Sequence, residues 1–134
     1  MLDYAALMAD YESYHRAPGN VRCHAVGVPL IAYAVVTWSR TPAGVPAAAL
    51  VLPVYLLWDR RVGAAMTAFV AASALLAARL PAWTALAAFL AGWAVQFYGH
   101  AAFEKRSPAF LRNLTHLLVG PAFVVSELAG WRRP

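Results

Sequence analysis

Charge is what this chain has least of. Asp, Glu, Lys and Arg make up only 13% of its 134 residues, against about 25% in an ordinary soluble domain. Hydrophobic residues make up 62%, and a chain this short cannot bury so much apolar surface within itself. The expected class is therefore an integral membrane protein. The single cysteine, Cys23, excludes an intrachain disulfide, and without a second thiol it reads as a filler residue rather than a zinc ligand. No Gly-rich phosphate loop is present, which sets aside Walker-type and dinucleotide binding. No GxSxG elbow surrounds Ser107 or Ser126, which sets aside a serine hydrolase. Paired HxxHH boxes are also missing. Four histidines are too few for a membrane diiron site and leave at most one mononuclear metal or a haem. The net charge of +5 is not a nucleic-acid signature, and no nucleic-acid partner is expected. Arg and Lys stand at the ends of apolar runs, where membrane lipids present anionic headgroups. Residues 1–15 carry Asp3, Asp10 and Glu12 and lack a positive n-region, so the protein is expected to be held by its own spans and not by a signal peptide.

What is present is a series of apolar runs within one domain, 1–134. Residues 1–15 place Tyr4, Leu7, Met8, Tyr11 and Tyr14 on one helical face, with Asp3 and Asp10 on the other. This predicts an amphipathic helix, lying at the interface or packed on the bundle. Pro18, Gly19 and Asn20 are turn formers and are expected to break it. Five apolar stretches follow, at about Val26–Trp38, Gly44–Trp58, Val62–Ala78, Pro81–Phe103 and Leu114–Trp131. The fold class is thus all-α, a membrane bundle of about five apolar helices preceded by the amphipathic one. A crossing takes about 20 residues. The first and second stretches fall short of it, and are expected to be tilted, re-entrant or paired in a hairpin. Ala and Gly recur through the third and fourth, which allows close helix approach. With five crossings, Arg16, Arg22, Arg60, Arg61, Lys105, Arg106 and Arg112 share one side, opposite Arg40, Arg79, Arg132 and Arg133. The larger group marks the cytoplasmic face. The same count places all four histidines at that edge, and ionisable groups gathered at one depth of an apolar protein suggest a site.

Two segments carry the polar chemistry. Gln96, His100 and Glu104 are four residues apart and form one helical stripe. Glu104 is placed to orient His100 through its second ring nitrogen, or to bind a metal itself. The equal alternative is an interfacial stripe that hydrogen-bonds neighbouring helices. The second segment is His15-x4-Asn20-x3-His24, whose Pro-Gly turn can fold the two imidazoles together. His116, taken singly, reads equally as a cap on the last helix.

These residues resemble the Mpo1-like family, also described as domain of unknown function 962. The resemblance rests on His15-x4-Asn20-x3-His24-x2-Gly27-Val28-Pro29, then Trp93-x2-Gln96-Phe97-x-Gly99-His100-x2-Phe103-Glu104-x3-Pro108-Ala109, then Gly120-Pro121-x-Phe123-x3-Glu127. It covers nearly the whole chain, in matching order. It implies an Fe(II)-dependent dioxygenase of fatty-acid α-oxidation, with O2 as co-substrate and a long-chain 2-hydroxy fatty acid as substrate. It further implies a metal held by His15, His24, His100 and His116, with Asn20, Gln96 and Glu104 as catalytic candidates. Arg16, Arg22 or Arg106 would steer the substrate carboxylate. The Ala- and Arg-rich composition suggests a bacterial inner membrane, with the histidines at its cytoplasmic face. The rival readings are a zinc-dependent lipid hydrolase, a haem or electron-transfer module, and a scaffold whose histidines only satisfy helix ends. A homo-oligomer is compatible with all of them.

Overall fold

A computed structural model describes residues 3–40 and 47–131. The expected break at Thr41-Pro42, the start of the second stretch at Gly44, and Arg132 and Arg133 lie outside them. Among the described residues the regular structure is helical throughout, with six α-helices: α1 (Tyr4–Ser13), α2 (Pro18–Ser39), α3 (Ala47–Trp58), α4 (Arg60–Ala77), α5 (Trp83–Gly99) and α6 (His116–Ala129). A single π-helical turn, His100–Glu104, continues α5, and a short 3₁₀ turn, Ala109–Leu111, leads into α6.

Asp3 caps α1, its carboxylate accepting the Ala6 N–H at 3.2 Å. Met8 and Tyr11 of this helix are buried, and Tyr4 stacks on Trp58 with ring centroids 4.9 Å apart. Of the two expected placements, α1 takes the packed one, against α6. The start of α2 departs from expectation. Pro18, Gly19 and Asn20 do not form the turn; they are the first residues of the helix. Proline suits the first helical position because its fixed φ is already helical and its missing N–H has no partner to lose there. The expected first stretch, Val26–Trp38, therefore lies inside a 22-residue helix, about 33 Å long at about 1.5 Å per residue.

Asp59 caps α4 through the N–H groups of Arg61 and Val62, at 2.7 and 3.2 Å. A Cβ on Gly63 would lie 2.7 Å from the Leu56 Cα, so glycine there lets α3 and α4 close into a hairpin. Of the six helices, α2 and α4 are long and apolar enough to cross a membrane. The shorter α3 and α6 span 12 and 14 residues, below a full perpendicular crossing, while α5 has 17 and is prolonged by the π-helical turn to Glu104. Large apolar side chains, Leu50, Leu57, Leu75, Leu90 and Leu128 among them, point outward. The core is built from Tyr55, Val62, Met66, Val119 and Phe123, with Met8 and Tyr11 closing it from α1.

The tightest crossing joins α2 to α5. A Cβ on Gly27 would stand 2.8 Å from the Gly92 carbonyl oxygen, and one on Gly92 would stand 2.8 Å from the Gly27 oxygen. The backbones touch here, with the Ile31 and Gln96 side chains packed against the two glycines. Replacing Gly92 with Val is predicted to push the helices apart and destabilise the protein by about 1–3 kcal/mol, the range for overpacking. Thermal unfolding in detergent checks this, with exposed Leu90→Ala on the same helix expected to leave Tm nearly unchanged.

Candidate metal centre

The α2–α5 crossing carries His24 of α2 and His100 at the end of α5 to one place, and the corner between α1 and α2 brings His15 to it. All three are buried, with 6%, 3% and 2% exposure for His15, His24 and His100. One ring nitrogen from each lies within 4.8 Å of the others. The hydrogen bonds fix how two of the rings face. His15 Nδ1–H donates to the Tyr11 carbonyl at 2.7 Å, and His24 Nδ1–H donates to the Asn20 carbonyl at 2.9 Å. A carbonyl oxygen only accepts, so both Nδ1 atoms carry the proton and both Nε2 atoms of the neutral rings carry lone pairs. Those two Nε2 atoms stand 2.9 Å apart. Two lone pairs at that distance repel unless a proton or a cation is shared between them. Two imidazole nitrogens bound at right angles to one ion, each at about 2.1 Å, would be about 3 Å apart. A backbone carbonyl on the far ring nitrogen is also the usual outer partner of a metal-bound histidine. The donor set fits a cation.

Burial, then the neighbouring His24 imidazole, pushes His15 down to about 2 from an ordinary 6.5. It is neutral at physiological pH, the form that binds metal. Because folding lowers this value, the unfolded chain takes up a proton below about pH 6.5 that the folded chain does not. Metal-free protein should therefore lose stability as pH falls below about 6.5. Melting curves at about pH 7.5 and pH 5 test this: Tm should drop on acidification, and drop less in His15→Gln. Equal drops would contradict the assignment.

His116 stands apart from the three. It is buried at the start of α6, and the Tyr11 ring lies between it and His15, stacked 3.9 Å from His15 and 5.4 Å from His116 by centroids. Its Nε2 bonds the Asp10 carboxylate at 2.7 Å, and its Nδ1 is buried with no partner among the described residues. Asp10, which the helical pattern places on the outer face, is thus a site neighbour that sequence reasoning missed. The contact joins residues 106 apart, and no local spacing signals it.

Glu104 does not bond the His100 ring. One of its carboxylate oxygens accepts the Ala17 N–H at 2.8 Å and the Asn20 amide at 3.2 Å. It ties the π-helical turn to the start of α2, where an anion also meets the helix dipole. Asn20 is fully buried. Its side chain holds Glu104 while its backbone holds His24, so it couples the α1–α2 corner to the histidines. Arg16 and Arg22 are exposed, and the Arg106 guanidinium lies 4.7 Å over the Tyr14 ring. None of the three arginines lines the cavity described next.

The histidines open onto an apolar cavity of about 390 Å³, within the range of about 300–1,000 Å³ typical of ligand pockets. Its wall follows α2 from His24 through Val28, Ile31 and Val35 to Val36, a rise of about 18 Å. Tyr55, Met66, Phe69, Phe89 and Trp93 form other sides. Apart from the histidines, the polar side chains along it are Tyr11, Tyr55, Trp93 and Gln96, and the Tyr55 hydroxyl already donates to the Leu118 carbonyl. Tyr11 read from sequence as a packing residue. Burial raises its phenol, so it stays protonated.

An apolar cavity ending in three convergent imidazoles defines a helical protein with a candidate metal centre joined to a compartment for an apolar ligand. The family described as 2-hydroxy-palmitic acid dioxygenase Mpo1-like matches residues 1–132, and the chain belongs to it. It is also similar to a Saccharomyces cerevisiae protein named 2-hydroxy-palmitic acid dioxygenase MPO1. The two are 31% identical over 95% of this chain and 80% of the yeast protein. No solved structure matches the chain.

Proposed function

We propose that this protein is an Fe(II)-dependent dioxygenase that shortens a long-chain 2-hydroxy fatty acid by one carbon. The overall change, R–CH(OH)–COOH + O2 → R–COOH + CO2 + H2O, balances without an added reductant. The carbonyl-anchored His15 and His24 pair, with bare Nε2 atoms 2.9 Å apart at the end of an apolar cavity, is the observation that carries this reading. The yeast relative's name supplies the substrate class.

In this account His15, His24 and His100 hold the metal, and His116, with its unpartnered Nδ1, is the fourth candidate. Fe(II), once held there, would supply oxygen activation. The chain's own residues do the rest. The cavity takes the acyl chain and keeps water from the reacting carbons. Glu104 and Asn20 hold the α1–α2 corner that sets His15 and His24. Arg16, Arg22 and Arg106, outside the cavity lining, steer the carboxylate on arrival. We place the protein in a bacterial inner membrane with the site at its cytoplasmic edge. The membrane-length α2 and α4 and the outward leucines support a membrane; the inner membrane and its cytoplasmic edge rest on composition and on the sequence count of arginines alone. A haem between His15 and His24 is disfavoured, because Nε2 atoms 2.9 Å apart leave no room for a ring between them.

His24→Ala and His100→Ala are each predicted to lose bound iron, read by elemental analysis, and conversion of 2-hydroxypalmitate, read by product mass. Retention of both iron and conversion would sink the ligand assignment. Oxygen-independent, zinc-dependent cleavage of an ester-linked membrane lipid, with 2-hydroxypalmitate left intact, would instead establish a hydrolase.

A further inference from the structure

We propose that Gln96 recognises the 2-hydroxyl of the substrate, its amide oxygen accepting the hydroxyl proton, and so separates 2-hydroxy acids from unsubstituted fatty acids. The inference rests on the dioxygenase reading and assigns its site a discriminating contact. Gln96 is only 7% exposed and lines the cavity. Its Oε1 is buried with no hydrogen-bond partner among the described residues. A buried, unpaired amide in an apolar wall is costly, and water or a ligand must supply what the protein does not.

Its position selects which part of a ligand it meets. The His100 N–H bonds the Gln96 carbonyl, so Gln96 lies one turn before His100 on α5. Across the crossing, the Gln96 Cγ stands 3.0 Å from where a Gly27 Cβ would be, and Gly27 lies one turn after His24 on α2. Glycine at 27 is what makes room for the amide. Gln96 thus forms the layer directly above His24 and His100, on the side from which the cavity continues along α2. A ligand held head-first at the histidines passes it with its first carbons.

The chemistry of an acceptor narrows the choice further. An ionised carboxylate has no proton to give, and neither has an alkyl chain. A hydroxyl on the second carbon has one. Asn20 Oδ1 is also unpartnered, but it faces Gly99 and does not line the cavity. A site built to pair a substrate hydroxyl rejects the analogue lacking it, because its own polar group is then left buried and alone.

The test is the ratio of dissociation constants for palmitate and 2-hydroxypalmitate. It is measured anaerobically by displacement of a fluorescent fatty acid from the detergent-solubilised, iron-loaded chain. Wild type is expected to favour the hydroxy acid. Gln96→Met, which keeps side-chain length without the amide, should shrink the ratio about tenfold, the scale of one hydrogen bond, with palmitate affinity unchanged or tighter. Its Tm should equal or exceed wild type, since an unpaired buried acceptor is removed, and Gln96→Leu serves as a second variant should Met pack poorly. An unchanged ratio in a folded variant, or equal weakening for both acids, overturns the assignment. A wild type that converts 2-hydroxypalmitate while the ratio survives Gln96→Met condemns the Gln96 assignment alone. A wild type that neither prefers nor converts it condemns the dioxygenase reading as well.

Discussion

Gln96 and the histidines can meet at all because Gly27 and Gly92 let two helix backbones touch. A Cβ on either would come within 2.8 Å of the other's carbonyl oxygen, so no larger residue fits without separating α2 from α5. His24 lies one turn from this contact on one helix and His100 two turns from it on the other. Their convergence is a consequence of the crossing. The cavity is tied to it as well, since α2 and α5 supply its longest walls. A small residue here costs conformational entropy and gives in return a geometry that side-chain packing would not hold as closely.

A second constraint acts at the histidines. Burying imidazoles away from water disfavours their charged form, and here the backbone assigns their protons. Tyr11 and Asn20 carbonyls take the Nδ1 hydrogens of His15 and His24, leaving two lone pairs aimed at one point. The peptide groups of α1 and α2 therefore select the tautomers, while Glu104 and Asn20 fix the corner that sets the distance between the rings. His116 is held differently, by an Asp10 carboxylate that is half exposed. It connects the buried cluster to the outer surface of α1.

The apolar runs made the helical architecture legible, because each run between polar clusters corresponds to one helix. The start of α2 was not legible. Pro18, Gly19 and Asn20 favour a turn and a helix N-terminus alike, and the contacts that hold the helical form, the Glu104 carboxylate among them, come from a distant segment. Counting along the apolar stretches put the four histidines at one edge, yet the count could not separate His116 from the other three. That separation depends on Asp10 and on the intervening Tyr11 ring. The stripe of Gln96, His100 and Glu104 assumed α-helical spacing throughout. The turn from His100 to Glu104 is π-helical, and the Glu104 carboxylate is taken by the Ala17 N–H and the Asn20 amide at the start of α2. Gln96 was visible as a costly amide in an apolar run; that it lines a cavity and keeps a buried oxygen without a partner was not.

Oxygen uptake tests the central claim most directly. Detergent-purified protein, loaded anaerobically with Fe(II), is mixed with oxygenated buffer and either 2-hydroxypalmitate or palmitate. The account predicts uptake only with the hydroxy acid, only with iron present, and in equal amount to the CO2 released. No uptake with iron verified as bound would contradict it, and would leave the buried imidazoles as a metal site of another chemistry.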